Sequence, residues 1–294
     1  GTITFNNAFT FPTSDGSASQ VLTTNGTGTV SWATPPTGGR SAVSLSYDIA
    51  AMVLDYMTDP KLLMVWEVAP TGTPTDLSGN NHNGTYNGGM TAGDQISKGY
   101  IYAIDPDGSN DYVSVPDHSD FSFGTGTEDN SFTIGMWVEV VGGAIQSLVS
   151  KWDRTTGSEK REWIMYLNSS RILYLTMFDE STDADVSAYT DSALSTGMHF
   201  VQVTYDGSGG QNAASGVSIY IDGVAVANST SSNVNYTAME DTAASVLIGA
   251  SLSTGGAAQD LIQGDFGLVF VSKEMFTTAD AWKVYLKTRG YYNL

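Results

Sequence analysis

A chain of 294 residues with 32 glycines and only 15% charged residues has room for one large β domain or two ordinary ones. It has no cysteine, which excludes a disulfide framework, a thiolate zinc centre and a thiol nucleophile. Its 12 Lys+Arg against 31 Asp+Glu leave a formal charge of −19, which repels phosphate, so nucleic acid is excluded as a partner and an anionic membrane disfavoured.

The chain opens on Gly1-Thr-Ile-Thr-Phe5, extended and polar, which does not read as a signal peptide. No apolar run approaches the ~20 residues that span a bilayer, and no membrane insertion is expected. Residues 1–34 read as short extended pieces, with breaks at Asp15-Gly16, Asn25-Gly26 and Gly28. Asn-Gly and Asp-Gly supply the positive φ of a tight β turn. So short a segment needs outside help to bury its apolar residues, from the rest of the chain or from identical neighbours. The run Phe11-Pro-Thr-Ser-Asp15-Gly16-Ser-Ala-Ser-Gln20-Val-Leu-Thr-Thr24-Asn-Gly26-Thr-Gly28-Thr-Val-Ser-Trp32 resembles a segment common in bacteriophage tail and head fibre proteins. That resemblance implies a homotrimer held through residues 1–40, contacts with other virion proteins, and a place on the virion surface, outside the cell. A flexible Gly/Thr/Ser linker is the competing reading.

Two prolines and two glycines in residues 34–40 make a linker. Residues 41–61 read as a helical connection: Tyr47–Met57 has helical spacing, with Ile49, Val53 and Tyr56 on one face and Pro60 as its stop. From 62 to 294 the pattern changes to alternation. Phe132, Ile134, Met136 and Val138 share one face, as do Leu173, Leu175 and Met177. Val217–Asp222 and Gly223–Ala227 form a hairpin about an Asp-Gly turn. Thr277 and Asp280 have capping-box spacing for a closing helix that Gly290 would stop. The expected fold is all-β, a two-sheet antiparallel sandwich with one or two short helices.

The same residues resemble the laminin-G-like jelly-roll domains of the concanavalin A-like lectin/glucanase superfamily, in order along the chain. Val65-Trp66-Glu67 resembles the opening strand, and Asp76-Leu-Ser-Gly-Asn-Asn-His-Asn-Gly-Thr85 an Asp-x-Ser-Gly-Asn-x-x-x-Gly loop. Asp107–Val115, Ser131–Val138, Leu148–Trp152, Met198–Asp206, Val217–Val224 and Val246–Gly249 follow as in the family. One departure is plain. Where the family often carries an Asp-Glu pair in the last strand, Gly264-Asp-Phe-Gly-Leu-Val269 has Gly267 and Leu268.

Catalytic chemistry is mostly missing, and no enzyme is expected. The related glucanases carry Glu-x-Asp-x-x-Glu, and hydrolysis needs two carboxyls at a fixed separation; no such spacing occurs. There is no Gly-x-Ser-x-Gly elbow and no phosphate loop. The acidic run Asp179–Asp185 reads as a solvated loop, and His199, at a strand start, as a packing residue. Calcium is the expected ion, with Asp76 and Asp265 meeting if first and last strands pair; Asp105–Asp111 could also offer clustered oxygens but reads better as a turn into a strand. For sugar binding, alternation sends Trp137, Tyr174 and Tyr220 away from the main apolar rows, with Gln202 and Thr204 as polar partners. The competing reading fills the second layer of the sandwich with those rings. The expected function is a phage appendage whose lectin-like domain recognises a host-surface glycan. The alternatives are a purely structural virion decoration protein and a secreted bacterial adhesin.

Overall fold

The computed structural model describes residues 4–5, 9–10, 21–24, 29–33, 42–66, 73–91, 94–99 and 101–292. The turn predicted at Asp15-Gly16, the turn and linker residues 25–28 and 34–40, and Glu67 lie outside them. The chain divides into two units, 1–41 and 42–294. In the first, Thr4–Phe5 pairs antiparallel with Phe9–Thr10, and Val21–Thr24 with Val30–Ala33. The last pairing sets Leu22 opposite Trp32 and Val21 opposite Ala33.

The second unit is the predicted sandwich. One sheet, the back sheet, runs in space Val224–Ala225, Val217–Ile221, Gly197–Tyr205, Phe132–Val140, Phe266–Ser272, Ile101–Ile104 and Gln95–Lys98, with Pro60–Met64 also pairing on Phe266–Ser272. The front sheet runs Asn228–Thr230, Ala184–Thr190, Leu173–Asp179, Lys160–Leu167, Gln146–Asp153, Val246–Ile248, Tyr112–Val115 and Thr85–Asn87. Gln146–Asp153 to Ala184–Thr190 is a four-strand meander within the front sheet, and the chain crosses between sheets before and after it, from Phe132–Val140 and into Gly197–Tyr205.

Alternation places the core. Phe132, Ile134, Met136 and Val138 of the back sheet face Trp163, Met165, Leu173, Leu175 and Met177 of the front sheet in one buried cluster. Asp222 and Gly223 have φ of 52° and 76°, the paired left-handed residues of a tight hairpin turn.

Two helices complete the unit. Helix α1 spans Ala42–Leu54 and α2 spans Thr278–Thr288. The capping box forms as its spacing predicts: Asp280 N–H donates to the Thr277 hydroxyl, and Thr277 N–H to the Asp280 carboxylate. Gly290 is no stop, because the chain continues through a 3-10 turn, Arg289–Tyr292. Nor is 41–61 a connection. Ile49, Ala50, Val53 and Met57 are buried in a second cluster with Leu63, Trp137, Phe200, Leu268, Phe270, Val284 and Tyr292. Helix α1 therefore belongs to the sandwich, covering the outer face of the back sheet together with α2. The opening strand is Pro60–Met64, earlier than predicted; Val65 and Trp66 follow it, and the Trp66 indole donates to Gly267 O at 2.7 Å. Among the described residues no helix is long and apolar enough to cross a membrane.

Candidate functional site

The helices decide which sheet face is available. Trp137 points to the outer face of the back sheet, as alternation predicts, but it is fully buried there. Its ring stacks on Tyr292 at 4.5 Å and its indole N–H donates to Thr288 Oγ1 at 2.9 Å. Register sets Gln202 between Gly135 and Tyr220 on the same face. Gln202 is completely buried with neither amide atom bonded to protein, and Tyr220 is 4% exposed, its hydroxyl 3.4 Å from Thr278 Oγ1. Thr204 is buried beside them. Trp137, Gln202 and Tyr220 are thus corrected from sugar-binding to packing residues, because α1 and α2 occupy the space a sugar would need.

Tyr174 lies on the other sheet, and that face is open. Register aligns Tyr166, Tyr174 and Tyr189 in one row across three strands. Their rings stack at 4.9 and 4.8 Å, all partly exposed. Beside this row is a cleft of about 350 Å³, lined among others by Trp152, Arg154, Tyr166, Phe178, Asp185 and Asp260. Trp152 meets Phe178 edge-on at 5.4 Å, and the Arg161 guanidinium covers the Phe178 ring at 3.7 Å. The floor is polar: Thr176 Oγ1 and Ser187 Oγ are 2.8 Å apart. Burial raises the Asp260 carboxyl above its usual range, although the Ser251 hydroxyl and Arg154 pull it back. Burial likewise raises the Tyr166 phenol. Ring faces next to hydroxyls, carboxylates and a guanidinium can stack a sugar's C–H face and read its hydroxyls.

Of this face the sequence exposed only Tyr174. Tyr166 and Tyr189 carry the same alternating signal, opposite Met165 and Ala188, and were legible. Trp152 was not, because register shifts at Ser147/Val149 and Lys151/Trp152 break the period of its strand.

The two expected calcium ligands are also separated. Asp76 Oδ1 accepts the N–H groups of Leu63 and Ser78, while Oδ2 accepts Ser78 Oγ–H and His82 N–H. Asp265 is in salt-bridge contact with Lys98, which also holds Glu139 at 2.8 Å. Leu63 pairs with Phe270, five residues along the strand from Asp265. At ~3.3 Å per residue the two carboxylates are roughly 16 Å apart along the sheet, so they do not share an ion. In the loop at 105–111, Asp107 Oδ1 accepts Ser109 and Asn110 N–H and Asp111 Oδ2 accepts Asp107 N–H, a turn as expected. Asp179 is corrected from solvated to buried. Its carboxylate is held below the usual range against the cost of burial by hydrogen bonds from Thr237, Ser181 and Thr182.

A different constellation joins Ser195, His199 and Asp222. Ser195 Oγ lies 2.8 Å from His199 Nε2, and His199 Nδ1 lies 2.8 Å from Asp222 Oδ2, at a cleft of about 390 Å³. This is the bonding order of a nucleophilic triad. It also does structural work, since Asp222 Oδ1 accepts Phe200 N–H and so ties the hairpin turn to its neighbouring strand.

The family model Laminin_G_3, described as concanavalin A-like lectin/glucanases superfamily, matches residues 107–280. The chain belongs to that superfamily. No curated protein matches the sequence. Among solved structures it is similar to the binding domain of Paraclostridial Mosquitocidal Protein 1, at 14% identity and TM-score 0.52 over 79% of this chain and 52% of that one. The botulinum neurotoxin serotype C1 binding domain is similar at 15% identity and TM-score 0.52, over 78% and 52%. The binding domain of botulinum neurotoxin DC, in complex with SialylT, is similar at 13% identity and TM-score 0.51, over 78% and 51%. The chain spans about half the length of these domains, and at such identities the likeness is one of fold. Within the superfamily, this chain's Gly267 and Leu268 have a physical reason. A Cβ at Gly267 would collide with the Tyr292 ring, whose hydroxyl accepts Leu268 N–H at 2.7 Å. Tyr292 packs directly against Gly267 and Leu268.

Proposed function

We propose that the sandwich is a lectin-like module that binds a glycan in the cleft of the front sheet. Trp152 and the tyrosine row would stack the sugar rings, and Arg154, Asp185 and Asp260 would contact polar groups. The observation that carries this reading is the open aromatic face of the front sheet, set against the helix-covered back sheet. The similar neurotoxin domain in complex with SialylT supports it only as an analogy of fold. A glycan array probed with the full chain tests it. Trp152→Ala should weaken the best hit at least ~10-fold, about 1.4 kcal/mol, with circular dichroism unchanged and no turnover of the bound glycan. Tyr174→Ala should weaken it less. A blank array would leave a module that makes protein contacts only, and hydrolysis lost in Ser195→Ala would make it an enzyme.

The whole chain we read as a bacteriophage virion appendage, a tail or head fibre protein on the virion surface that assembles as a homotrimer. The fibre-type segment at 11–32 supports this reading. Its strands Val21–Thr24 and Val30–Ala33 make a two-stranded pair, and such small pairs are marginal in water without a partner. Sedimentation equilibrium should give three times the chain mass of 31.2 kDa; a monomer would defeat the trimer.

A further inference from the structure

Of the three histidines in the chain, two meet although they are 36 residues apart in sequence. We propose that His82, His118 and Asp120 form a binding site for a divalent transition-metal ion, Zn²⁺ fitting best, that cross-links the Asp76-to-Gly84 loop to the turn at Ser119–Phe121. A nitrogen of each imidazole and a carboxylate oxygen of Asp120 all lie within 4.8 Å of one another. His82 Nε2 is 2.8 Å and His118 Nδ1 3.2 Å from the same oxygen, Asp120 Oδ2, and the two rings are 4.5 Å apart. Two imidazole nitrogens and one carboxylate oxygen are a donor set that suits zinc, with the fourth tetrahedral position left for water. Calcium suits it poorly, because it prefers six to eight oxygens.

The surroundings hold the donors in place. His82 N–H donates to Asp76 Oδ2 at 2.9 Å, which fixes the loop, and its ring packs edge-on against Phe121 at 4.8 Å. Lys61 lies 3.5 Å from the other oxygen, Asp120 Oδ1, so Oδ2 remains the one turned to the imidazoles. His118 is half-exposed, and its Nδ1 accepts Asp120 N–H at 3.1 Å. A metal ion on Nδ1 would replace that bond, at some cost in affinity. The sequence could not reveal the site, because its ligands come from two loops with no metal-binding spacing.

The full chain is titrated with Zn²⁺ and with Co²⁺, following the unfolding midpoint and the visible band of four-coordinate Co²⁺. Zn²⁺ should raise the midpoint, a chelator should reverse the shift, and Ca²⁺ at equal concentration should not reproduce it. His118→Ala removes a half-exposed ring, so it should keep the fold and weaken binding at least ~10-fold. Asp120→Asn should also weaken it, and His199→Gln, at the third histidine, should not. Absence of both the shift and the band, or a shift that survives in His118→Ala, would overturn the site.

Discussion

Replacing Lys151 by methionine is expected to cost about 3–5 kcal/mol near pH 8 and distinctly less near pH 5. Lys151 is fully buried, with its ammonium 2.7 Å from Glu162 Oε1, 2.9 Å from Asp117 Oδ1 and 2.5 Å from Thr242 O. Glu162 is equally buried. Its Oε1 also accepts Thr242 N–H at 2.7 Å, Thr242 Oγ1–H at 2.8 Å and Ser122 Oγ–H at 3.2 Å. The pair therefore pins two loops to adjacent strands of the front sheet. Burial pushes the Glu162 carboxyl up to about 7, even though Lys151 pulls it down. The folded protein thus holds this proton more tightly than the unfolded chain. The stabilisation by the neutral form is complete below the unfolded value, near 4.5, and is lost as pH rises through about 7. Without Lys151 the carboxyl would have to stay protonated, so the deficit grows with pH. Denaturant melts of wild type and variant at the two pH values measure it. Equal deficits at both would show that Lys151 acts through packing and the Asp117 and Thr242 contacts alone.

Trp137→Ala is expected to destabilise the sandwich by about 3–5 kcal/mol, while glycan binding by the folded fraction is unchanged. The indole fills the layer between back sheet and helices, 5.4 Å from Phe200 and 5.8 Å from Tyr285, besides its stack on Tyr292. Its removal leaves a cavity beneath α2 and leaves the Thr288 hydroxyl without its donor. Hydrogen exchange should accelerate first in α2 and then in Phe132–Val140, the strand that carries Trp137. A loss of glycan binding without a loss of stability would return Trp137 to the binding surface and contradict the covered back sheet.

The sequence by itself determined the fold class and the side to which most strand residues point. Side-chain direction in a strand has period two, so Phe132, Ile134, Met136 and Val138 had to share one face and Trp137 the other. The Asp222-Gly223 turn and the Thr277–Asp280 box are equally local, each set by residues within a single turn. Alternation tells inside from outside of one sheet only. It cannot say whether the outside meets water or a helix, and that divides Tyr174 from Trp137, Gln202 and Tyr220. Helix α1 reads as a connection until Ile49 and Val53 are seen against Leu63 and Phe270, because its apolar stripe does not name its partner. Asp76 and Asp265 are acidic residues in loop-rich sequence, and only strand register shows how far apart they sit. The cleft and the His82–His118–Asp120 cluster join segments distant in sequence, and the Lys151–Glu162 pair is closed over by the distant Asp117 and Thr242. Tertiary structure alone decided them, since burial and distance are properties of the packed sandwich and leave no periodic trace in the chain.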